Sequence, residues 1–279
     1  MPILSNTMKI TIIRPDQSVR TNLVEVWQKR DVLFLLVWRD FLVRYKQTFV
    51  GLLWSLFRPL STMIIFTIIF GRVLHLSSGA APYPLIVLCG LLPWLLFANS
   101  IPLGSTSLLD NAPVIRKAYC PRLIYPLSLV FINFGDFLVS LLFIFIMRAF
   151  YGFHIDVRLF FLPVLALHIL ALTLGIMFFV ASLSVAFRDL SYLVPFFIQL
   201  GFFVSPIGFL TDIVAVKWRL IYALNPMVGI IDGFRYSLLG TVELMYWPGY
   251  WISAGLSVLI FVSGTVFFIK SEKKFMDFI

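Results

Sequence analysis

Apolar residues run almost unbroken through six segments of the chain, about 51–70, 85–109, 123–150, 159–187, 190–210 and 250–269. A membrane-spanning helix needs about 20 predominantly apolar residues, and each segment reaches that length. Strict apolar/polar alternation over about ten residues, the pattern of a membrane β-barrel, is absent. Backbone groups in hydrocarbon must be bonded within their own segment, so these runs are expected to be helices. The pattern predicts an all-α membrane protein with six transmembrane helices, residues 51–279 forming one transmembrane domain behind a cytoplasmic N-terminal segment, 1–50.

Two regions depart from this rhythm. In 22–47, Leu33, Val37, Phe41 and Tyr45 recur every four residues, while Arg39, Asp40 and Arg44 fall on other faces, with Asp40 and Arg44 spaced for an i,i+4 pair. This predicts an amphipathic helix lying in the membrane interface against lipid. The run 32–38 is apolar all round and too short to span, so part of it must pack on protein or sink deeper. The stretch 211–249 holds two apolar pieces, neither long enough to cross, separated by Asn225-Pro226. Pro disfavours helix continuation and suits a first turn. Two short re-entrant helices over about 218–240 fit, and so does a plain extracellular loop.

Composition sharpens the picture: 61% of the residues are hydrophobic, 17% aromatic and only 13% charged, far from a soluble domain. The formal net charge of +9 would point to nucleic acid in a soluble protein, but here the basic residues flank apolar spans. With the N-terminus inside, only Arg72, Arg148, Arg158, Lys217, Arg219 and Arg235 fall outside. Every other Lys and Arg except Arg58 falls inside, so both termini are expected in the cytoplasm. Charged residues from Lys9 to Glu25 precede any apolar run and no small-residue cleavage site follows one, so no cleavable signal peptide is expected. Cys89 in a span and Cys120 in a basic loop lie at different depths and are expected as free thiols.

No phosphate loop of the G-x-x-x-x-G-K-[ST] type occurs, so ATP, if used, must be hydrolysed on another chain. No zinc pattern occurs, and His75, His154 and His168 are the only histidines. Arg58, Asp136 and His168 fall inside spans, where an ionisable group is expensive and points to function. Asp136 stands alone rather than in a carboxylate relay and is expected to bond a neighbouring helix. Arg58 either snorkels to the inner interface or meets an anionic headgroup. The loop 111–126 brackets a basic and aromatic segment between Pro113 and Pro121. Its composition suits docking to a protein groove, and equally an ordinary basic cytoplasmic loop.

At this loop the sequence resembles the permeases of type-two ABC transporters that export O-antigen, capsular polysaccharide or teichoic acid. The resemblance rests on Asn111, Val114, Ile115, Arg116, Lys117, Tyr119, Pro121, Arg122 and Pro126. Four further landmarks follow in family order: Arg44-Tyr45-Lys46 with Gly51, Trp54 and Pro59; Phe187-Arg188-Asp189-Leu190; Ser205-Pro206-Ile207; and Asn225-Pro226 with Phe234-Arg235 and Leu239-Gly240. Arg58 departs from the pattern, since relatives often carry Glu or Asn before the Pro.

The resemblance implies a permease subunit without its own ATPase activity, in a bacterial inner membrane. Two copies would form a homodimer around a channel. Two ATP-binding-cassette subunits, holding ATP and Mg, would dock on a short coupling helix at about 111–122. The cargo would be polysaccharide on an undecaprenyl diphosphate lipid. Asn225, Pro226, Phe234 and Arg235 would belong to an outer gate. Physical reasoning adds candidates: Trp54, Phe57, Phe196, Phe197, Phe202 and Phe203 as stacking surfaces for sugar faces, and Arg39, Arg44, Lys46 and Arg58 as cations for the diphosphate. Each has a plainer alternative, lipid contact for the rings and general attraction to anionic lipid for the cations. Three other classes stay open: a type-two ABC permease for a small drug or lipid, an ion-coupled secondary carrier, which would show repeated halves, and a membrane enzyme, which would need Asp136 and His168 gathered at one depth.

Overall fold

The computed structural model describes residues 19–46, 52–75, 81–117, 120–240 and 245–278, and the side chains of 23–45, 56–75, 81–117, 120–240, 245–272 and 275. The chain folds into α1 (Val19–Gln28), α2 (Arg30–Lys46), α3 (Leu52–Phe66), α4 (Tyr83–Asp110), α5 (Ala112–Ile115), α6 (Ile124–Phe150), α7 (Leu162–Ala186), α8 (Leu190–Val204), α9 (Val216–Tyr222), α10 (Pro226–Leu239) and α11 (Trp247–Phe278). The all-helical expectation holds: there is no strand among the described residues. α3 runs on into π-helical turns, Thr67–Val73, and a 3-10 turn, Val157–Phe161, leads into α7.

Five helical segments are long and apolar enough to cross a membrane: Leu56–Val73, Tyr83–Asp110, Ile124–Phe150, Val157–Ala186 and Trp247–Glu272. The sixth run is shorter than expected. The sequence predicts a span to residue 210, but α8 stops at Val204, after about 22 Å of rise. The cause is local: a residue before proline is driven out of helical geometry, and Ser205, before Pro206, is extended at φ −89° and ψ 145°.

α4 is the hub. It is the most buried of the five segments, and α3, α6, α7, α8 and α10 all pack on it. α3 and α8 sit at the edge, and Val194 is the only buried residue among those of α8. α7 and α11 form the closest pair. A Cβ on Gly264 would overlap the carbonyl of Gly175, and one on Gly175 would lie 2.6 Å from the Phe261 nitrogen. Small residues let backbones touch where lipid gives no hydrophobic drive for association.

The expected break at Asn225-Pro226 is present. Asn225 caps α10 by accepting from the Met227 N–H at 3.1 Å, Pro226 takes the first turn, and Gly240 closes the helix in left-handed geometry at φ 71°. α10 is buried along most of its length, whereas α9 exposes Val216, Trp218, Leu220 and Ile221. Arg235 of α10 is 0% exposed. Its guanidinium donates to the carbonyls of Pro206 at 2.6 Å, Ile207 at 3.0 Å, Phe209 at 3.0 Å and Ile86 at 3.4 Å, and Asp232 lies 3.7 Å away. One side chain thus satisfies the backbone freed where α8 ends, and ties it to α4.

Arg235→Lys keeps the charge but loses the planar fork, leaving buried carbonyls bare. It should destabilise the folded chain by about 3 kcal/mol or more, read as a large drop in thermal unfolding temperature in detergent. A shift within error would show that these carbonyls are satisfied otherwise.

Candidate functional site

The loop between α4 and α6 is built by backbone and cap. Asn111 ends α4 and donates from its side-chain amide to the Ser107 carbonyl at 2.8 Å. Its own carbonyl accepts from the N–H groups of Val114 and Ile115, each at 3.0 Å, and so starts the single turn of α5. Val114, Arg116 and Lys117 are exposed, and Ile115 tucks against the core. This leaves a small surface with an apolar point and two cations at one end of the bundle. Tyr119 lies outside the described residues.

Arg122 and Pro121, predicted as part of the same surface, turn the other way. Pro121 is buried. Arg122 donates to the Glu272 carbonyl at 2.5 Å, lies 3.8 Å from the Glu272 carboxylate, and sits over the Phe275 ring at 5.8 Å. Its side chain is therefore committed to the end of α11.

The predicted cations are mostly engaged. Arg39 pairs with its neighbour Asp40 at 2.7 Å, not Asp40 with Arg44. Arg44 reaches across to α6, contacting Asp136 at 2.7 Å and the Asn133 amide oxygen at 3.0 Å. Tyr45 donates to the other Asp136 oxygen. Burial first, then the Asp136 hydrogen bond and charge, push the Tyr45 phenol up to about 12, so it stays a donor across ordinary pH. Asn133 extends the network to Ser100 of α4 at 3.1 Å. As expected, Asp136 bonds a neighbouring helix. Arg58 is exposed and donates to Asn99, the residue before Ser100, at 2.9 Å. α2, α4 and α6 thus meet in one polar cluster, with the Arg58–Asn99 tie of α3 to α4 beside it. The Lys46 side chain lies outside the described residues.

The predicted aromatics divide. Phe196, Phe197 and Phe203 of α8 are 54%, 62% and 70% exposed, and Phe57 of α3 is exposed too. Phe202 instead packs edge-on against Phe66 and Trp94, which joins α8 to α3 and α4. The Trp54 side chain lies outside the described residues. Of the predicted gate, Phe234 and Arg235 are both 0% exposed and hold α10 in place, while Asn225 bonds Ser205 at 3.2 Å as well as capping α10. Phe234 and Arg235 face inward within a single chain, whereas Asn225 and Pro226 are only half-buried.

A second polar chain lies elsewhere. His168 of α7 bonds Ser257 of α11 at 2.9 Å, and Ser253 donates to the Pro226 carbonyl at 2.5 Å. His168 and Asp136 therefore sit in separate networks, which removes the pairing that an enzyme reading requires. The serines of α11 carry no sequence signal beyond their four-residue spacing, and Glu272 sits among the charges at 270–274 with no motif to mark it.

Comparison with known proteins fits this layout. The sequence matches the ABC-2 type transporter family over residues 31–239. It is 30% identical over 213 residues to the O-antigen export system permease protein RfbA of Myxococcus xanthus, covering 76% of this chain and 81% of that one. It is 32% identical over 206 residues to a protein of the same name from Klebsiella pneumoniae (74% and 79% covered), and 28% identical over 254 residues to another from that organism (88% and 94% covered). The family match takes in α2 through α10, including the α4–α6 loop and the buried Arg235, and on that extent this multi-pass membrane protein belongs to the ABC-2 type transporter family.

Proposed function

We propose that the chain is the channel-forming subunit of an ATP-driven exporter of O-antigen-like polysaccharide, working as a homodimer in a bacterial inner membrane with two ATP-binding-cassette subunits. The observation that carries this reading is the exposed turn of α5, with Val114, Arg116 and Lys117 presented beyond the spans of a permease-family bundle. The names of the relatives support O-antigen as the cargo class. The lipid-linked form of that cargo rests on Arg58, the exposed cation beside the polar cluster, with Arg39 at a distance.

In this reading both termini and α5 are cytoplasmic, in keeping with the basic residues at that end. α8 and the irregular residues after it complete a sixth crossing. α9 and α10 enter from the outer side and return, with protein covering α10 as such backbone requires. A second copy would face α3 and α8, which bury few residues against the rest of the bundle, and the exposed rings of Phe57, Phe196, Phe197 and Phe203 would give sugar faces a surface between the copies.

The triple substitution Val114→Asp, Arg116→Glu and Lys117→Glu touches only exposed positions and should leave folding intact. Co-purification with its cassette subunit should fall at least about tenfold, a loss of roughly 1.4 kcal/mol. Undiminished recovery would show that α5 is not the docking element. Arg58→Ala should lower export of lipid-linked glycan while α2 keeps its resistance to trypsin. Arg44→Ala should lower both, because it removes the Asp136 tie as well. Unchanged export in Arg58→Ala would remove that residue from the headgroup site.

A further inference from the structure

α11 is about 48 Å long by helical rise and outreaches its own apolar span. Its two ends touch two different parts of the bundle, the α4–α6 loop and α10. At the α5 end, Arg122 closes the loop that carries α5 and binds the Glu272 carbonyl at 2.5 Å. Beneath it Phe275, 2% exposed, lies 5.4 Å from Phe268, which lies 5.5 Å from Phe178 of α7. At the other end, Ser253 donates to the carbonyl of Pro226, the first residue of α10, and the Gly229 backbone sits so close that a Cβ there would lie 2.6 Å from the Ser253 side chain. Between the ends, the contact of Gly175 with Gly264 locks α11 to α7 backbone to backbone. Close-packed interfaces of this kind shift between discrete arrangements rather than deform.

We propose that α11, locked to α7, is the rod that carries displacement of the α4–α6 loop across the membrane to α10, with Arg122 and Ser253 as positioning residues at its two ends. The proposal rests on the exporter reading above, in which a cassette subunit moves α5. Arg122 is then a link from the loop to the rod and takes no part in docking. The contact needs both a donor for the carbonyl and a flat cation over Phe275, and Arg offers both. The distance from Ser253 to Glu272 along the helix is about 29 Å, so a tilt set at one end reappears at the other.

The test uses the full complex of permease and cassette subunits in lipid nanodiscs, with spin labels at Asp110, the last residue before the α4–α6 loop, and at Leu224, two residues before α10, both exposed. In the otherwise unaltered complex, adding ATP with Mg should change the distance between the two copies at both positions. In Arg122→Ala, the Asp110 distance should still change, the Leu224 response should be lost, and glycan exported per ATP hydrolysed should fall several-fold. Arg122→Lys, which keeps a donor for the carbonyl, should restore part of the Leu224 response. A mere folding role would move both labels together or lower recovery of the complex, and it predicts no such split. A full Leu224 response in Arg122→Ala overturns the proposal. No response at Asp110 in the unaltered complex would overturn the exporter reading itself, and the rod with it.

Discussion

A carbonyl left without a partner in hydrocarbon costs several kcal/mol, and the architecture follows from where this chain breaks its helices. The critical break comes after Val204, where Pro206 ends α8 and residues 205–210 leave helical geometry. Arg235 repairs it, with donors to three carbonyls of that stretch and a fourth on α4. An arginine alone would be too expensive to bury, so Asp232, one turn earlier, lies close enough to offset its charge. The position of α10, the cap at Asn225 and the contact between Ser253 and Pro226 all presuppose this repair.

Much of that arrangement was legible in the sequence, and the unread part has a physical cause. Span length and the absence of alternation were enough for an all-helical membrane protein. Asn225-Pro226 marked a cap and a break because a side-chain acceptor followed by proline has few other uses. The end of α8 was missed because hydropathy does not register backbone geometry. Residues 205–210 are nearly as apolar as a helix, and only the constraint on the residue before Pro206 separates them. The packing role of Arg235 was not legible for a similar reason. The resemblance placed it at an outer gate, and nothing local says that its acceptors are carbonyls lying 26 to 149 residues earlier in the chain.

The charged residues teach a related lesson. Asp136 was expected to serve a neighbouring helix, and Arg44 was expected to meet an anion from outside the protein. The structure makes each the partner of the other. Periodicity placed one helix over 22–47, where the chain forms α1 and α2, and assigned Arg44 an i,i+4 partner, because sequence spacing sees only contacts within one helix. The coupling between α2 and α6 spans 92 residues and has no local signature. The aromatics divide on the same principle. Phe202 and Phe203 are neighbours of one type, and which of them packs on Trp94 depends on the rotation of α8 about its axis.

These ties produce two polar layers with an apolar slab between them. On α4, Ile86 serves Arg235 and Ser100 serves Asn133, about 21 Å apart by helical rise. On α6, Asn133 and the buried Arg148 are about 22 Å apart. The two helices pack on each other and share the Ser100–Asn133 bond at one of the two levels. Within the slab the strongest inter-helix attachment is the backbone contact of α7 with α11, and the polar His168–Ser257 pair only supplements it. A bundle anchored at two levels and joined by one close helix pair is stiff along the membrane normal. It is loosest at α3 and α8, the edge helices, which bury few residues and take no part in the Arg235 layer beyond the end of α8.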